Sequence, residues 1–183
     1  MDESIDIEAL KKDEQFLADV KMLEEEVKNS DSVAKAYQLL DVKLALNEDE
    51  EGINELFQKI VNGAFTNIAI AIENGKKLDI SNAEDFATMR GIYEYAMQAF
   101  SENLTKQAQE LFLALHHVVD DFELKDAINK AKELYQKYNV KVLPGEFLGR
   151  DGEGKDFWRL ALVYEPKVIE DALNRIKEFL KNG

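Results

Sequence analysis

The sequence predicts a mainly helical protein, a helical bundle that carries a small α+β segment near its C-terminal end. Three observations predict this fold class. Through most of the first 138 residues, apolar residues recur at spacings of three and four, the period of a helix with one buried face. The only two prolines, Pro144 and Pro166, lie late in the chain, so no earlier helix has to be broken. Two short segments with strand-like alternation follow residue 139.

The first three helices are predicted from their apolar stripes. Four residues define the first, over about 7–27: Phe16, Val20, Leu23 and Val27. The polar run 29–32 ends that helix and supplies an N-cap for the second, whose stripe covers 33–44. A third helix is expected over 53–73, with a short strand at 68–72 as the alternative, because isoleucines alternate there with period two.

The later elements follow from the same patterns. Three more helices are expected over 83–101, 104–119 and 124–138. Two strands are expected at 140–143 and 157–164, on either side of a glycine-rich loop at 149–154. Pro166 opens the last helix in its first turn, where its missing N–H costs nothing. Four residues of that helix are expected to form its buried stripe: Ile169, Leu173, Ile176 and Leu180.

The charge of the chain limits the classes of partner it can bind and suggests how the chain divides into segments. The net charge is −14, from 37 acidic and 23 basic residues, which argues against nucleic acid and membrane surfaces as partners, because both are bound through Lys and Arg. A basic protein partner or simply a well-solvated surface accounts for the excess. All of it lies before residue 140. We therefore predict a helical domain at 1–125 and a second segment at 126–183.

Composition limits the chemistry. The chain has no cysteine, which excludes disulfides and thiolate metal sites. His116 and His117 are adjacent and diverge by about 100° on a helix, so they cannot chelate one metal ion together, and no metal site is expected. The acidic N-terminus lacks the apolar stretch of a signal peptide, and the apolar window 68–72 is too short to span a bilayer. A cytoplasmic location is expected.

The spacing of small and aromatic residues at 90–121 suggests a helical hairpin. Ala96 and Ala108 are twelve residues apart, Phe112 follows four later, and Phe100 and Asn103 lie between them. This pattern resembles a tetratricopeptide repeat, and together with 68–82 it resembles the repeat domain of secretion chaperones. The resemblance implies a concave side that binds a peptide or partner protein, for which we list four candidates: Tyr93, Ala96, Phe100 and Phe112. A plain hairpin in a bundle is the alternative, because only one repeat is found and a stacked array needs about three.

The most specific pattern lies in the last fifty residues. A strand ends at Pro144-Gly145, a glycine-rich loop follows, and the next apolar strand contains Arg159 before a final amphipathic helix. This order resembles the small-domain tail of fold-type I, pyridoxal-phosphate-dependent aminotransferases, especially the succinyl-diaminopimelate and aspartate-type branch. The resemblance implies that Arg159 binds a substrate's α-carboxylate through its planar guanidinium. A structural ion pair, or a side chain that reaches solvent, is the alternative for Arg159.

The sequence does not show the rest of such an enzyme. Catalysis needs a Schiff-base lysine, an acid against the pyridine nitrogen and a phosphate cradle, which the family takes from a large α/β domain. Residues 1–125 lack the strand–helix alternation of that domain. We therefore expect no cofactor and no catalysis, but a chaperone-like helical protein that binds a protein or peptide, with self-association left open. The alternative is a truncated or enzyme-derived aminotransferase piece, inactive unless another chain completes its site.

Overall fold

The fold is mainly helical, with a small antiparallel sheet near its C-terminal end. The computed structural model describes residues 7–46, 50–147, 154, 157–160 and 165–182. Its helices are α1 (Ile7–Leu10), α2 (Glu14–Lys28), α3 (Val33–Leu46), α4 (Glu50–Glu73), α5 (Ala83–Ser101), α6 (Thr105–Val118), α7 (Phe122–Tyr138) and α8 (Pro166–Asn182). Strands β1 (Leu143–Pro144) and β2 (Trp158–Arg159) pair as a two-stranded sheet. The predicted fold class is confirmed.

The first predicted helix is divided into two. The side chain of Asp13 accepts a hydrogen bond from the Phe16 backbone N–H at 3.0 Å and so caps the N-terminus of α2. The N–H groups of Lys12 and Asp13 close the end of α1 on the carbonyls of Ala9 and Leu10. A capping aspartate inside the apolar pattern thus interrupts the helix, which the spacing of the apolar residues did not indicate.

A carboxylate from α5 caps α3. Both oxygens of Glu84 are used, because they accept hydrogen bonds from the backbone N–H groups of Val33 (2.7 Å) and Ala34 (3.1 Å) and from the Ser32 hydroxyl (2.7 Å). These N–H groups have no partner within their own helix, and a negative charge is favourable at a helix N-terminus. The Asn67 amide of α4 also donates to Glu84, at 3.2 Å. One side chain therefore ties three helices together.

The α5–α6 hairpin has the predicted geometry at its centre. Ala96 and Ala108 are fully buried, so small side chains occupy the interior of the hairpin. Asn103 adopts the left-handed conformation with φ of 62°, as expected for the turn residue. The rings of Phe100 and Phe112 stack with their centroids 5.6 Å apart. The alternative of a strand at 68–72 is wrong, since these residues belong to α4.

The two strands are shorter than predicted. The register pairs Leu143 with Arg159 and Pro144 with Trp158. Pro144 has no N–H to extend the ladder, so β1 ends there and a 3₁₀ turn, Gly145–Phe147, follows. Residues 161–164 and most of the glycine-rich loop lie outside the described residues. Gly154 approaches Gly145 so closely that a Cβ on Gly145 would lie 2.3 Å from the Gly154 carbonyl oxygen.

The orientation of α8 differs from the prediction. Leu173 and Leu180 were expected to be buried, but they are 44% and 64% exposed, so the expected stripe is wrong for these two residues. Phe179 is buried instead, with its ring 5.9 Å from each of the rings of Tyr138 and Trp158. These two aromatic partners decide which face of the helix is turned inward.

The interior of the described residues connects both predicted segments. Buried apolar side chains from α2 to α8 form one contiguous cluster. The division near residue 125 stays a prediction from the charge pattern. Among the described residues, no helix has both the length and the apolar character needed to cross a bilayer.

The replacement Ala108→Glu tests the hairpin. Because Ala108 is fully buried, we expect an unpaired charge there to lower the free energy of unfolding by at least about 3 kcal/mol. The measurement is urea unfolding followed by circular dichroism. Gln109→Glu is the matched control, since Gln109 is exposed on the next position of the same helix. Equal stability of both variants and the unchanged protein would show that Ala108 is not at a helix contact.

Candidate functional site

A cleft of about 750 Å³ opens between the helices and the C-terminal elements. Its walls are α5, the end of α7, the extended segment 140–143, β2 and the N-terminal half of α8. Apolar side chains such as those of Leu143, Leu160 and Val168 line it together with five charged residues. The charged residues are Glu94, Lys141, Arg159, Asp171 and Arg175.

Tyr93 fixes one wall of the cleft. Its hydroxyl donates a hydrogen bond of 2.7 Å to the carbonyl oxygen of Val142, and both residues are buried. The ring of Phe147 lies 5.3 Å from the Tyr93 ring, and that of Phe112 lies 5.9 Å away on α6. Burial, and then the Glu94 carboxylate, raise the pKa of Tyr93 well above its usual range. The phenol therefore remains a neutral donor that holds segment 140–143 against α5.

Glu94 is held from the side opposite the cleft. The Tyr37 hydroxyl donates to its Oε2 at 2.9 Å, and the Arg90 Nε donates to its Oε1 at 3.0 Å. The Arg90 guanidinium lies 4.3 Å from the centre of the Tyr37 ring. Burial, and then the Glu94 carboxylate, raise the pKa of Tyr37. Burial acts to lower the pKa of Arg90, but the Glu94 carboxylate outweighs it, so the pKa of Arg90 is raised. The charge of Glu94 is therefore already neutralised by Arg90.

The second carboxylate of the cleft is also paired. Asp171 forms an ion pair with Arg175 one turn further along α8. Arg175 additionally donates from Nη1 to the Tyr138 carbonyl oxygen at 3.1 Å. This Arg–carboxylate pair lies at the cleft, with the guanidinium oriented by a backbone carbonyl at the end of α7.

Two cations remain without a close partner in the part of the chain that the structure describes. Neither the Lys141 ammonium nor the Arg159 guanidinium forms a hydrogen bond or an ion pair with a described residue, and both residues are exposed. Burial of part of the side chain lowers the pKa of Lys141, and the Glu94 carboxylate opposes that shift. The cleft therefore holds uncompensated positive charge, although the chain as a whole is acidic.

Two short segments bring these two cations to the same cleft. Burial alternates along the segment, with Val140 and Val142 buried and Lys141 exposed between them. Leu143 shares the face of Lys141 and lies directly opposite Arg159. Lys141 precedes the paired positions by two residues, and it lines the same cleft as Arg159.

The structure places the predicted site residues in two different environments. Arg159 is exposed, and no described residue forms an ion pair with it. The four partner-binding candidates are at most 6% exposed and belong to the core: Tyr93, Ala96, Phe100 and Phe112. A partner would therefore meet other side chains at this hairpin. Sequence analysis missed Lys141, although the alternation of 140–143 placed it on the open face.

The carboxylates of the cleft bear on pyridoxal phosphate, because that coenzyme takes an acid or an arginine against its pyridine nitrogen. Both carboxylates that line the cleft are engaged, Glu94 by Arg90 and Tyr37, and Asp171 by Arg175. The described residues also bring together no group of three metal-ligating side chains.

Comparison with known proteins shows similarity to an aminotransferase. The chain is 31% identical to AatC of Rhizobium meliloti (strain 1021), a protein assigned as an aminotransferase, over 127 residues. The match covers 66% of this chain, which is more than segment 126–183 contains, so it also includes residues of the helical part. It spans only 30% of the relative's own length. No protein-family model and no solved structure matches the chain.

The replacement Tyr93→Phe tests the wall of the cleft. The ring contacts are kept, but the buried Val142 carbonyl loses its donor, so we expect the free energy of unfolding to fall by about 1–3 kcal/mol. The measurement is denaturant unfolding. Tyr95→Phe is the matched control, because its half-buried hydroxyl accepts only a long hydrogen bond of 3.4 Å from Gln107, and we expect a change below about 0.5 kcal/mol. Equal losses in the two variants would contradict the role of Tyr93.

Proposed function

We propose that this chain is a helical protein-interaction protein without catalytic activity of its own, and that its cleft holds an acidic segment of a partner protein in a chaperone-like manner. One observation carries the proposal. Lys141 and Arg159 share one face of the cleft, while both of its carboxylates are already paired with other residues. The uncompensated charge favours a ligand that brings carboxylates.

The apolar lining favours a peptide over a simple ion. Leu143 and Leu160 are half-buried, and Val168 is 51% exposed at the start of α8. Apolar side chains of a partner segment would cover this surface, while its acidic side chains meet the cations. A segment that alternates acidic and apolar residues matches both requirements. Because the rest of the chain is strongly acidic, this site is also where an anionic segment would be least repelled.

The proposal assigns the tetratricopeptide-like hairpin and the aminotransferase-like tail to the same cleft. We propose that the α5–α6 hairpin is a single tetratricopeptide-like unit that supports the cleft through Tyr93. We also propose that the aminotransferase similarity includes the tail, residues 126–183, which supplies Lys141 and Arg159. The tail would thus contribute a binding surface rather than a catalytic site. A cytoplasmic location is part of the same proposal.

The second candidate is an enzyme-derived piece of an aminotransferase that is inactive alone. The similarity to AatC favours it. In that case Arg159 would hold the carboxylate of a free amino acid, and another chain would supply the remaining catalytic groups. The two candidates differ in ligand size. A free amino acid brings a carboxylate but no apolar segment to the cleft, whereas a peptide brings both carboxylates and apolar side chains.

Intrinsic fluorescence provides a direct binding test. Trp158, the single tryptophan, is the strand neighbour of Arg159, so we expect a peptide bound at Arg159 to change its emission. The probe is a peptide of alternating leucine and glutamate. We expect Arg159→Ala and Lys141→Ala each to weaken binding about fivefold, since each loses a charge pair worth about 1 kcal/mol. Free glutamate at the same concentration should not displace the peptide.

The control variant is Lys106→Ala, which removes a cation of α6 that is 92% exposed at its side chain and distant in sequence from the cleft. It should bind as the unchanged protein does, and all variants should melt at similar temperatures. Unchanged affinity of the two cleft variants would contradict the proposed site. Displacement of the peptide by free glutamate would favour the enzyme-derived candidate instead.

A further inference from the structure

We propose that Lys141 is a modification site, at which the cleft directs acyl phosphates to the side-chain amine and the amine becomes acylated. The inference rests on the anion-binding cleft of the proposed function, but not on the identity of the partner. The juxtaposition that carries it is an amine that forms no ion pair with a described residue, in a cleft that two arginines also line.

The position of Lys141 suits an anionic reagent. Arg159 of β2 and Arg175 of α8 line the same cleft as Lys141, and Arg159 pairs with Leu143, two residues after Lys141. A guanidinium binds a phosphate through two parallel N–H groups, and Arg159 has no described partner that occupies them. A phosphate bound at Arg159 would bring its acyl group to the face from which Lys141 projects.

The state of the amine also distinguishes Lys141 from other lysines. Lys137 forms an ion pair with Glu133, which raises the pKa of the ammonium, and Lys130 pairs with Asp126 at 2.6 Å. An ion pair keeps the amine protonated, and only the neutral amine is a nucleophile. Lys141 has no close ion pair, and burial shifts its pKa in the opposite direction. A larger fraction of Lys141 is therefore neutral at a given pH.

The chemistry is a simple acyl transfer. The lone pair of the neutral Lys141 Nζ attacks the carbonyl carbon of the acyl phosphate and forms a C–N bond. The bond between that carbon and the phosphate oxygen breaks, and the electron pair leaves with inorganic phosphate. The proton released from nitrogen goes to solvent. Guanidinium groups stabilise the charge that develops on the leaving phosphate.

Acylation would regulate the proposed binding. The amide that forms carries no charge, so the cleft would keep only Arg159 as an uncompensated cation among the described residues. The affinity for an acidic segment should then fall to the level of the Lys141→Ala variant. The supply of acyl phosphate would in this way control how much of the protein can hold a partner.

The experiment treats the full chain with acetyl phosphate and follows each lysine by peptide mass spectrometry. We expect Lys141 to be acetylated several-fold faster than Lys137, since the ion pair with Glu133 keeps Lys137 protonated and burial disfavours the protonated form of Lys141. Arg159→Ala should lower the rate at Lys141 several-fold and leave Lys106 and Lys137 unchanged. The N-hydroxysuccinimide ester of acetic acid, which lacks a phosphate, should modify Lys141 at a rate that does not depend on Arg159.

Two outcomes would overturn the inference: equal rates at Lys141 and Lys137, or a Lys141 rate that Arg159→Ala leaves unchanged with acetyl phosphate. Peptide binding, measured separately on unmodified protein, distinguishes this failure from failure of the proposed function. Selective acetylation without peptide binding would support the modification site and reject the proposed function, because the cleft would then bind only small anions. Peptide binding without selective acetylation would retain the interaction site and reject the modification.

Discussion

The hydrogen bond between the Tyr93 hydroxyl and the Val142 carbonyl is the constraint on which the cleft depends. It joins α5 to the segment that leads into β1, and it is buried on both sides. A buried carbonyl without a donor is costly, so this contact fixes the position of segment 140–143. With Val140 and Val142 turned inward, Lys141 must face outward. The direction of one cation thus follows from a contact made by its neighbour.

Electrostatics then decides what the cleft can hold. Arg90 and Tyr37 occupy the carboxylate of Glu94, and Arg175 occupies that of Asp171. Had either acid been free, it would have neutralised Lys141 or Arg159 and repelled an anionic ligand. The pairing of the acids therefore matters as much as the presence of the cations. Neither of the two carboxylates among the described residues of the cleft is therefore left unpaired.

Much of the fold could be predicted from the sequence, because helical periodicity in α3 to α6 is long and regular. The split between α1 and α2 depends on the Asp13 cap, and the inward face of α8 depends on the rings of Tyr138 and Trp158. The Asp13 cap is a local contact that the spacing of apolar residues does not include, and the ring contacts of α8 are long-range and leave little trace in that spacing. For the site, Arg159 was identified from the motif, and an exposed side chain was one of the alternatives that the sequence left open for it. The pairing of Glu94 with Tyr37 joins residues 57 positions apart, which no local pattern indicates.

Amide chemical-shift mapping with the leucine–glutamate peptide tests the central claim most directly. The ¹⁵N-labelled chain is titrated with the peptide, and the shifts are placed on the structure. We predict that the largest changes fall in residues 140–143, at Arg159 and Leu160, and between Val168 and Arg175, which line the cleft. Changes confined to α2, α3 or the outer face of α6 would show that the acidic segment binds elsewhere, and would contradict the cleft as the binding site.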